Sequence, residues 1–461
     1  MAKPVVVIPG YYGSKLADAV HERVIWLTAN SLLNPDATLE ALRLDGGDPR
    51  RVVPVGILEE VPILAFWSPD VYKDLLAFLR NNLHREHVLG FFYDWRKSLE
   101  EGADLLNNQI VRLLDQTGAP RVDIVAHSFG GLVARALFAK FPETVQKVDW
   151  LITLGTPHHG MLRTFRAIVE GLRAFAVFSP RRIRQVSRTF PSAYDLLPND
   201  AATGFFRFNG SPADPMQVND WCETQDMRLL LASAAGRTAL LPRQLPVKTC
   251  MIYGTRTSTT TSASFAGGAT TFGDAPRGDG TVPAVSASGQ GLTGAEEVLR
   301  FAVPFAPHAN LFGVEKVQQR ILTTVLVSRP MPEFHLFAGF ASEPFFIPRQ
   351  ANLFAAAVFR KNGTPVPDAR VRLTIDGTSV RNQAIPFTAD QDYAARIVMP
   401  GPGAGHPWRV TAEIPGQPDR SPTGVCSSRP GDPFPHWGEL LPHWGAVLPL
   451  RSPRNLPVNP P

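Results

Sequence analysis

Cysteine is scarce: Cys222, Cys250 and Cys426 are the only three in 461 residues. An odd number at wide spacing excludes a disulfide framework and supplies no metal-ligand pattern, so neither metal nor cofactor is expected. Charge is sparse too, at 19% of residues against a usual share of about a quarter, which excludes a charged disordered chain and a coiled coil. No apolar run approaches the ~18–20 residues needed to cross a bilayer. Met1 is not followed by a charged leader, an apolar stretch and a cleavage site, so the expected location is cytoplasmic or peripheral to a membrane.

Proline, by contrast, is abundant: 43 residues, close to twice the ordinary share of roughly 5%, which favours irregular loops over an all-helical bundle. At roughly 100–200 residues per domain the length predicts two to four domains. The net charge of +5 is local, since seven arginines between Arg163 and Arg188 stand against Glu170 alone. No stacking platform or nucleic-acid motif accompanies them, so they read as a surface patch and no nucleic-acid partner is expected.

The β-branched run 4–9 reads as a buried strand feeding the tight loop Pro9-Gly10-Tyr11-Tyr12-Gly13. Strands are predicted at 87–93, 122–126, 148–154, 247–253 and 299–303, and helices at 69–83, 99–114, 131–141 and 314–327. Their alternation implies an α/β fold with a mostly parallel sheet covered on both faces. An insertion is expected at about 17–66 and a cap at about 158–245. Within the cap, apolar spacing predicts one basic amphipathic helix over 161–177, and the Thr/Ser/Gly-rich stretch 255–273 reads as a loop. Short alternating runs at 352–360, 369–375, 392–398 and 408–413 suggest a small Ig-like β-sandwich. The expected domains are thus 1–328, 331–425 and a proline-rich tail over 426–461, with Pro-His-Trp-Gly at 435–438 and again at 442–445.

The chemistry concentrates in 122–139, VDIVAHSFGGLVARALFA. A strand running through Ala126-His127-Ser128-Phe129-Gly130 straight into a helix is the context of a nucleophile elbow, where a serine on a sharp turn needs small residues two before and two after it. Ala126 and Gly130 meet that need, although the usual pattern has glycine at the first position. Ser128 is the candidate nucleophile. It requires a base and a group that orients the base, in the chain order serine, acid, histidine. His308 is the one histidine after Asp279 that lies in the hydrolase-like part; His335, His406, His436 and His443 follow it. Asp279, in Gly278-Asp279-Gly280-Thr281, is the preferred acid and Asp274 its nearest competitor. The oxyanion donors are expected to be the backbone N–H groups of Phe129 and Tyr11. His127 is expected to pack beneath the elbow, while His158 and His159 are expected to line a pocket without serving the triad.

Several ordered segments together resemble the lecithin:cholesterol acyltransferase family, with its related phospholipases and phospholipid:diacylglycerol acyltransferases. They are Pro9-Gly10 with Gly13-Ser14-Lys15-Leu16, Tyr93-Asp94-Trp95-Arg96, AHSFGG at 126–131, Pro191-Ser192 with Leu196-Leu197-Pro198, Ile252-Tyr253-Gly254, and Gly278-Asp279-Gly280-Thr281-Val282. The resemblance covers roughly 4–325 and implies an α/β-hydrolase with Ser128, Asp279 and His308 as triad and a lipid ester as acyl donor. It also implies a membrane-contact insertion, with Trp26 and Leu27 as exposed apolar candidates. Extracellular members close that insertion with a disulfide, whereas no cysteine here precedes Cys222.

The expected function is serine-dependent acyl transfer or hydrolysis on phospholipid or acylglycerol esters, through an acyl-serine and with water or an alcohol as acceptor. Peripheral membrane contact is expected through the insertion and the basic cap helix. The alternatives are a carboxylesterase acting on small soluble esters, and an inactive hydrolase domain in a protein that binds a partner through its sandwich.

Overall fold

The computed structural model describes residues 3–46, 51–59, 72–83, 87–172 and 177–326, with the backbone of seven strands between 334 and 427. The chain divides into two compact units, chiefly 1–330 and 331–461.

In the first unit, six strands form one sheet: β1 (Val5–Ile8), β2 (Val88–Gly90), β3 (Val122–His127), β4 (Val148–Leu154), β5 (Lys248–Thr255) and β6 (Val298–Pro304). Their order across the sheet is β6-β5-β4-β3-β1-β2, and every pairing is parallel. β1 and β3 are buried along their whole length, as strands covered on both faces must be. The chain leaves β1 toward β2, crosses back to β3 and then moves steadily the other way. The loops after β1 and β3 therefore diverge, opening a crevice at the carboxyl ends of these two neighbours.

Helix Leu99–Thr117 shows how local sequence sets the flanking layer. The Ser98 side chain accepts from Glu101 N–H at its start, Glu100 and Glu101 complement the helix dipole, and Gly118 at φ 64° ends it. It buries Leu99, Ala103, Leu106, Ile110, Leu113 and Leu114. A Cβ on Gly102 would lie 3.1 Å from Val133 Cγ1, so glycine lets this helix close on helix Phe129–Lys140.

Three expectations are corrected. The cap helix expected over 161–177 ends at Val169, and a second short helix, Pro180–Ser187, begins beyond that range. The chain turns at Gly171, whose φ is +86° and where a Cβ would stand 1.9 Å from Pro180 O; apolar periodicity continues past a break that backbone geometry imposes. Most of the described arginines in this stretch are paired within the chain: Arg166 with Glu170 at 3.0 Å, Arg182 with Asp36 at 3.0 Å, and Arg184 and Arg188 with Glu223 at 2.5 and 2.7 Å. The stretch 255–273 is not a loop but a hairpin of strands Thr257–Ala266 and Ala269–Gly278. Its β-branched threonines favour strand, and the turn falls at Gly267 and Gly268, both at positive φ. Trp26 and Leu27 are buried, not exposed: the Trp26 indole donates to Tyr12 O at 3.1 Å and packs on Trp95 and Phe178.

The second unit has two antiparallel sheets. One orders Phe334–Phe340, Ala351–Arg360 and Tyr393–Val398; the other orders Thr378–Ala384, Arg370–Ile375, Pro407–Glu413 and Thr423–Ser427. Strand Thr378–Ala384, TSVRNQA, has no apolar alternation to announce it. Strand Thr423–Ser427 takes in the first two residues of the expected tail 426–461; the rest of that tail, the end of the insertion at 60–66 and the expected boundary at 328–330 lie outside the described residues.

The Tyr93–Arg96 segment fastens the insertion to the sheet. Asp94 takes two hydrogen bonds from the Arg96 guanidinium at 2.9 and 2.7 Å, and Arg96 also donates to Leu42 O and Val52 O in the insertion at 3.0 and 3.1 Å. Arg96 and Asp94 are buried. Removing one partner leaves an uncompensated buried charge. Asp94→Ala is expected to lower the unfolding free energy by about 3–5 kcal/mol, measured by urea denaturation.

Candidate active site

Ser128 sits between β3 and helix Phe129–Lys140 with φ 53° and ψ −123°, a conformation that costs a non-glycine residue on the order of 1–3 kcal/mol. Its neighbours show why it is tolerated. A Cβ on Gly130 would come within 2.6 Å of Pro9 O, and one on Gly131 within 2.1 Å of Thr156 Oγ1. Only glycine at both positions lets the helix start this close to the ends of β1 and β4. Ala126, two before the serine, is fully buried between Ile8 and Thr153 in the sheet, where a methyl group fits.

The three residues singled out for the triad come together. His308 Nε2 lies 2.9 Å from Ser128 Oγ, and His308 Nδ1 lies 2.7 Å from Asp279 Oδ2. Asp279 is buried, and its other oxygen accepts from Thr281 N–H at 3.0 Å and Val282 N–H at 2.7 Å. The glycine-flanked turn thus uses one carboxylate oxygen to hold its own backbone and presents the other to the imidazole. His308 N–H also donates to Asp279 O at 2.8 Å, so backbone and side chain fix the pair together. Asp274 is half exposed and faces Arg166 at 3.9 Å; the structure does not bring it to His308.

The loop after β1 reaches the serine. A Cβ on Gly10 would stand 2.7 Å from Ser128 Cβ, which places the following residue, Tyr11, beside the elbow. Phe129 is the first residue of its helix, so its N–H has no acceptor within that helix. The loop is gripped from two sides: Tyr93 Oη donates to Pro9 O at 2.9 Å and Trp95 Nε1 to Ser14 O at 3.1 Å. Ser192, from the Pro191-Ser192 segment, secures the grip by donating to Arg96 O at 3.0 Å. Around the loop, Tyr11, Tyr12, Trp26, Trp95 and Phe129 form a continuous set of ring contacts, from 4.4 to 6.1 Å between centroids. Burial pushes the Tyr12 hydroxyl up to about 12, so it stays protonated.

Sequence reasoning missed the part that two glycines play in making room for Asp279 and His308. A Cβ on Gly155, at φ +59°, would stand 3.0 Å from both Asp279 Oδ2 and His308 Nδ1, and one on Gly254 would stand 2.6 Å from Asp279 Cβ. The signal was available as a glycine directly after β4 and another within the end of β5. His158 and His159 line a cavity with Arg135, Asp214 and Thr238 whose walls include none of Ser128, Asp279 and His308. Burial, reinforced by Arg135, holds the His158 imidazole well below the usual histidine range. Among the described residues no cluster of three or more metal-ligating side chains occurs, and no helix is long and apolar enough to cross a membrane.

Residues 66–227 match the family model described as lecithin:cholesterol acyltransferase, a segment that contains Ser128 and ends before Asp279 and His308. Over 161 residues the chain is 30% identical to the uncharacterized protein YJR098C of Saccharomyces cerevisiae, covering 33% of this chain and 23% of that protein. Over 124 residues it is 31% identical to the phospholipase A(1) LCAT3 of Arabidopsis thaliana, covering 24% of this chain and 27% of that one. The chain therefore spans about a quarter of the length of the curated relatives it matches. Among solved structures, the Tle4–Tli4 complex is 14% identical with a TM-score of 0.49, over 70% of this chain and 98% of that one.

Gly155→Ala is expected to crowd the Asp279–His308 pair, lowering kcat by ~10-fold or more while costing about 1 kcal/mol of stability for the left-handed backbone. Steady-state kinetics paired with thermal unfolding checks both.

Proposed function

We propose that this chain, an α/β-hydrolase whose residues 66–227 match the lecithin:cholesterol acyltransferase family, transfers or hydrolyses the acyl group of a lipid ester through an acyl-serine. The observation that carries the reading is the unbroken run from Ser128 Oγ to His308 Nε2 at 2.9 Å and from His308 Nδ1 to Asp279 Oδ2 at 2.7 Å. Both are hydrogen-bond distances, and the first is within reach for proton transfer.

In the first step Ser128 Oγ attacks the ester carbonyl carbon as its proton passes to His308 Nε2. The carbonyl π pair moves to oxygen, and the N–H groups of Phe129 and Tyr11 receive the oxyanion. Asp279 stabilises the imidazolium and keeps the imidazole in the tautomer that leaves Nε2 free to accept. The tetrahedral intermediate then expels the alcohol, which takes the proton from His308. Water or a second alcohol repeats the cycle on the acyl-serine, and the acceptor decides whether the product is a free acid or a new ester.

A lipid substrate is supported by the match of residues 66–227 to the lecithin:cholesterol acyltransferase family model and by the similarity to the phospholipase A(1) LCAT3. Contact with a lipid aggregate belongs to the same proposal. In the insertion, Val20, Leu33 and Val55 are exposed, as is Val177 in the cap, and they take the place first given to Trp26 and Leu27. The division of the chain into a hydrolase domain at 1–328, a strand-rich domain at 331–425 and a tail is proposed with it.

The test is a product assay on phospholipid vesicles, with and without a long-chain alcohol or sterol, comparing the wild type with Ser128→Ala. Wild type is expected to release fatty acid or form a new acyl ester, and Ser128→Ala to lower turnover by about 10⁴-fold or more. Serine-independent product, or turnover confined to short soluble esters, would contradict the proposal.

A further inference from the structure

Beneath the elbow, groups outside the proposed triad form an unbroken hydrogen-bonded strut. Gly10 N–H donates to Tyr72 Oη at 2.7 Å, Tyr72 Oη lies 2.7 Å from His127 Nδ1, and His127 Nε2 lies 3.1 Å from the backbone oxygen of His308. Chemistry fixes the polarity at every joint. A carbonyl oxygen only accepts, so His127 carries its proton on Nε2 and donates it there. In a neutral imidazole Nδ1 is then an acceptor, so the Tyr72 hydroxyl donates to it while accepting from Gly10. Reversing any one bond leaves a buried polar group without a partner, which is costly.

The surroundings keep the strut in this state. Tyr72 and His127 are both buried. Burial, and then the nearby charge of His308, hold the His127 imidazole well below the usual histidine range. The ring centroids of His127 and His308 are 4.9 Å apart, so a neutral His127 is also what a protonated His308 requires of its neighbour. Both rings rest on Phe312: Tyr72 stacks on it at 4.9 Å and His127 meets it edge-on at 5.0 Å. Apolar contact therefore positions the rings, and the hydrogen bonds add direction.

We propose that Tyr72 and His127 are positioning residues that join the oxyanion loop to the base. The inference rests on the serine mechanism above. One end of the strut fixes Gly10, the residue before the proposed donor Tyr11. The other fixes the backbone of His308, and His127 itself is covalently joined to Ser128. The three parts that must meet in the transition state thus share one chain of bonds. Loosening it degrades alignment at the reacting carbonyl more than substrate binding, so it acts on kcat and not on KM.

The experiment compares wild type, Tyr72→Phe, His127→Leu, His127→Gln and Ser128→Ala. It uses hydrolysis of a p-nitrophenyl acyl ester, inhibition by an alkyl boronic acid and thermal unfolding. Tyr72→Phe keeps the stacked ring and is expected to lower kcat by ~10-fold or more, with KM changed less than about twofold. The boronate binds as a tetrahedral anion at the serine, so its Ki is expected to rise by about the factor by which kcat/KM falls. His127→Gln offers a carbonyl to Tyr72 and an N–H to His308, and is expected to recover most of the turnover that His127→Leu loses. Unchanged kcat and boronate Ki in Tyr72→Phe would overturn the inference, as would His127→Gln no better than His127→Leu at equal thermal stability. An active Ser128→Ala would overturn the serine mechanism itself, and the strut with it.

Discussion

The close approach of backbone around Ser128 is the constraint on which the first unit depends. A serine held at φ 53° at the end of a fully buried strand keeps its hydroxyl at the mouth of the crevice only if the turn is too crowded to relax. That crowding is visible at Gly10, Gly130 and Gly131, where a single added carbon would meet the serine, the end of β1 or Thr156. The same proximity brings the loops after β1, β3 and β4 together around Ser128. The strain at one residue and the convergence of the site are two views of one packing arrangement, sustained by the surrounding structure.

Most of the conspicuous motif residues hold this arrangement and do not face the chemistry. Tyr93 and Trp95 secure the loop after β1 through Pro9 and Ser14, Arg96 ties the insertion to Asp94, and Ser192 anchors the cap segment on Arg96 O. Asp195, four residues from the start of its short helix, accepts from Leu99 N–H at 2.9 Å and from Arg237 at 2.8 Å. The insertion and cap are therefore wired into the core around the parallel sheet by buried polar bonds, which direct a unique arrangement where apolar packing alone does not.

The parallel sheet was legible because its strands are short β-branched or apolar runs, most of them separated by helical patterns, and the elbow because Ala126, Ser128 and Gly130 combine strand, turn and helix in one segment. Ser128, Asp279 and His308 could be named from motif context and chain order, and His308 lies within hydrogen-bond distance of each of the other two. What escaped depended on the third dimension. The helix over 161–177 kept its apolar period through a turn that Gly171 makes against Pro180. The threonine-rich hairpin looked like loop because its residues are polar, although Gly267-Gly268 marks its turn. Gly155 and Gly254 stand at strand ends, but their role, like that of Tyr72, lies in which distant side chain each one meets.

The central claim is that Ser128 is the nucleophile activated by His308 and Asp279. The most direct measurement is intact mass after treatment with an alkyl fluorophosphonate, followed by peptide mapping. The oxygen of an activated serine displaces fluoride and becomes a stable phosphonate ester. The account predicts one adduct per chain, located on the peptide containing Ser128, and its near disappearance in His308→Ala. No adduct, an adduct on another serine, or labelling undiminished in His308→Ala would contradict it.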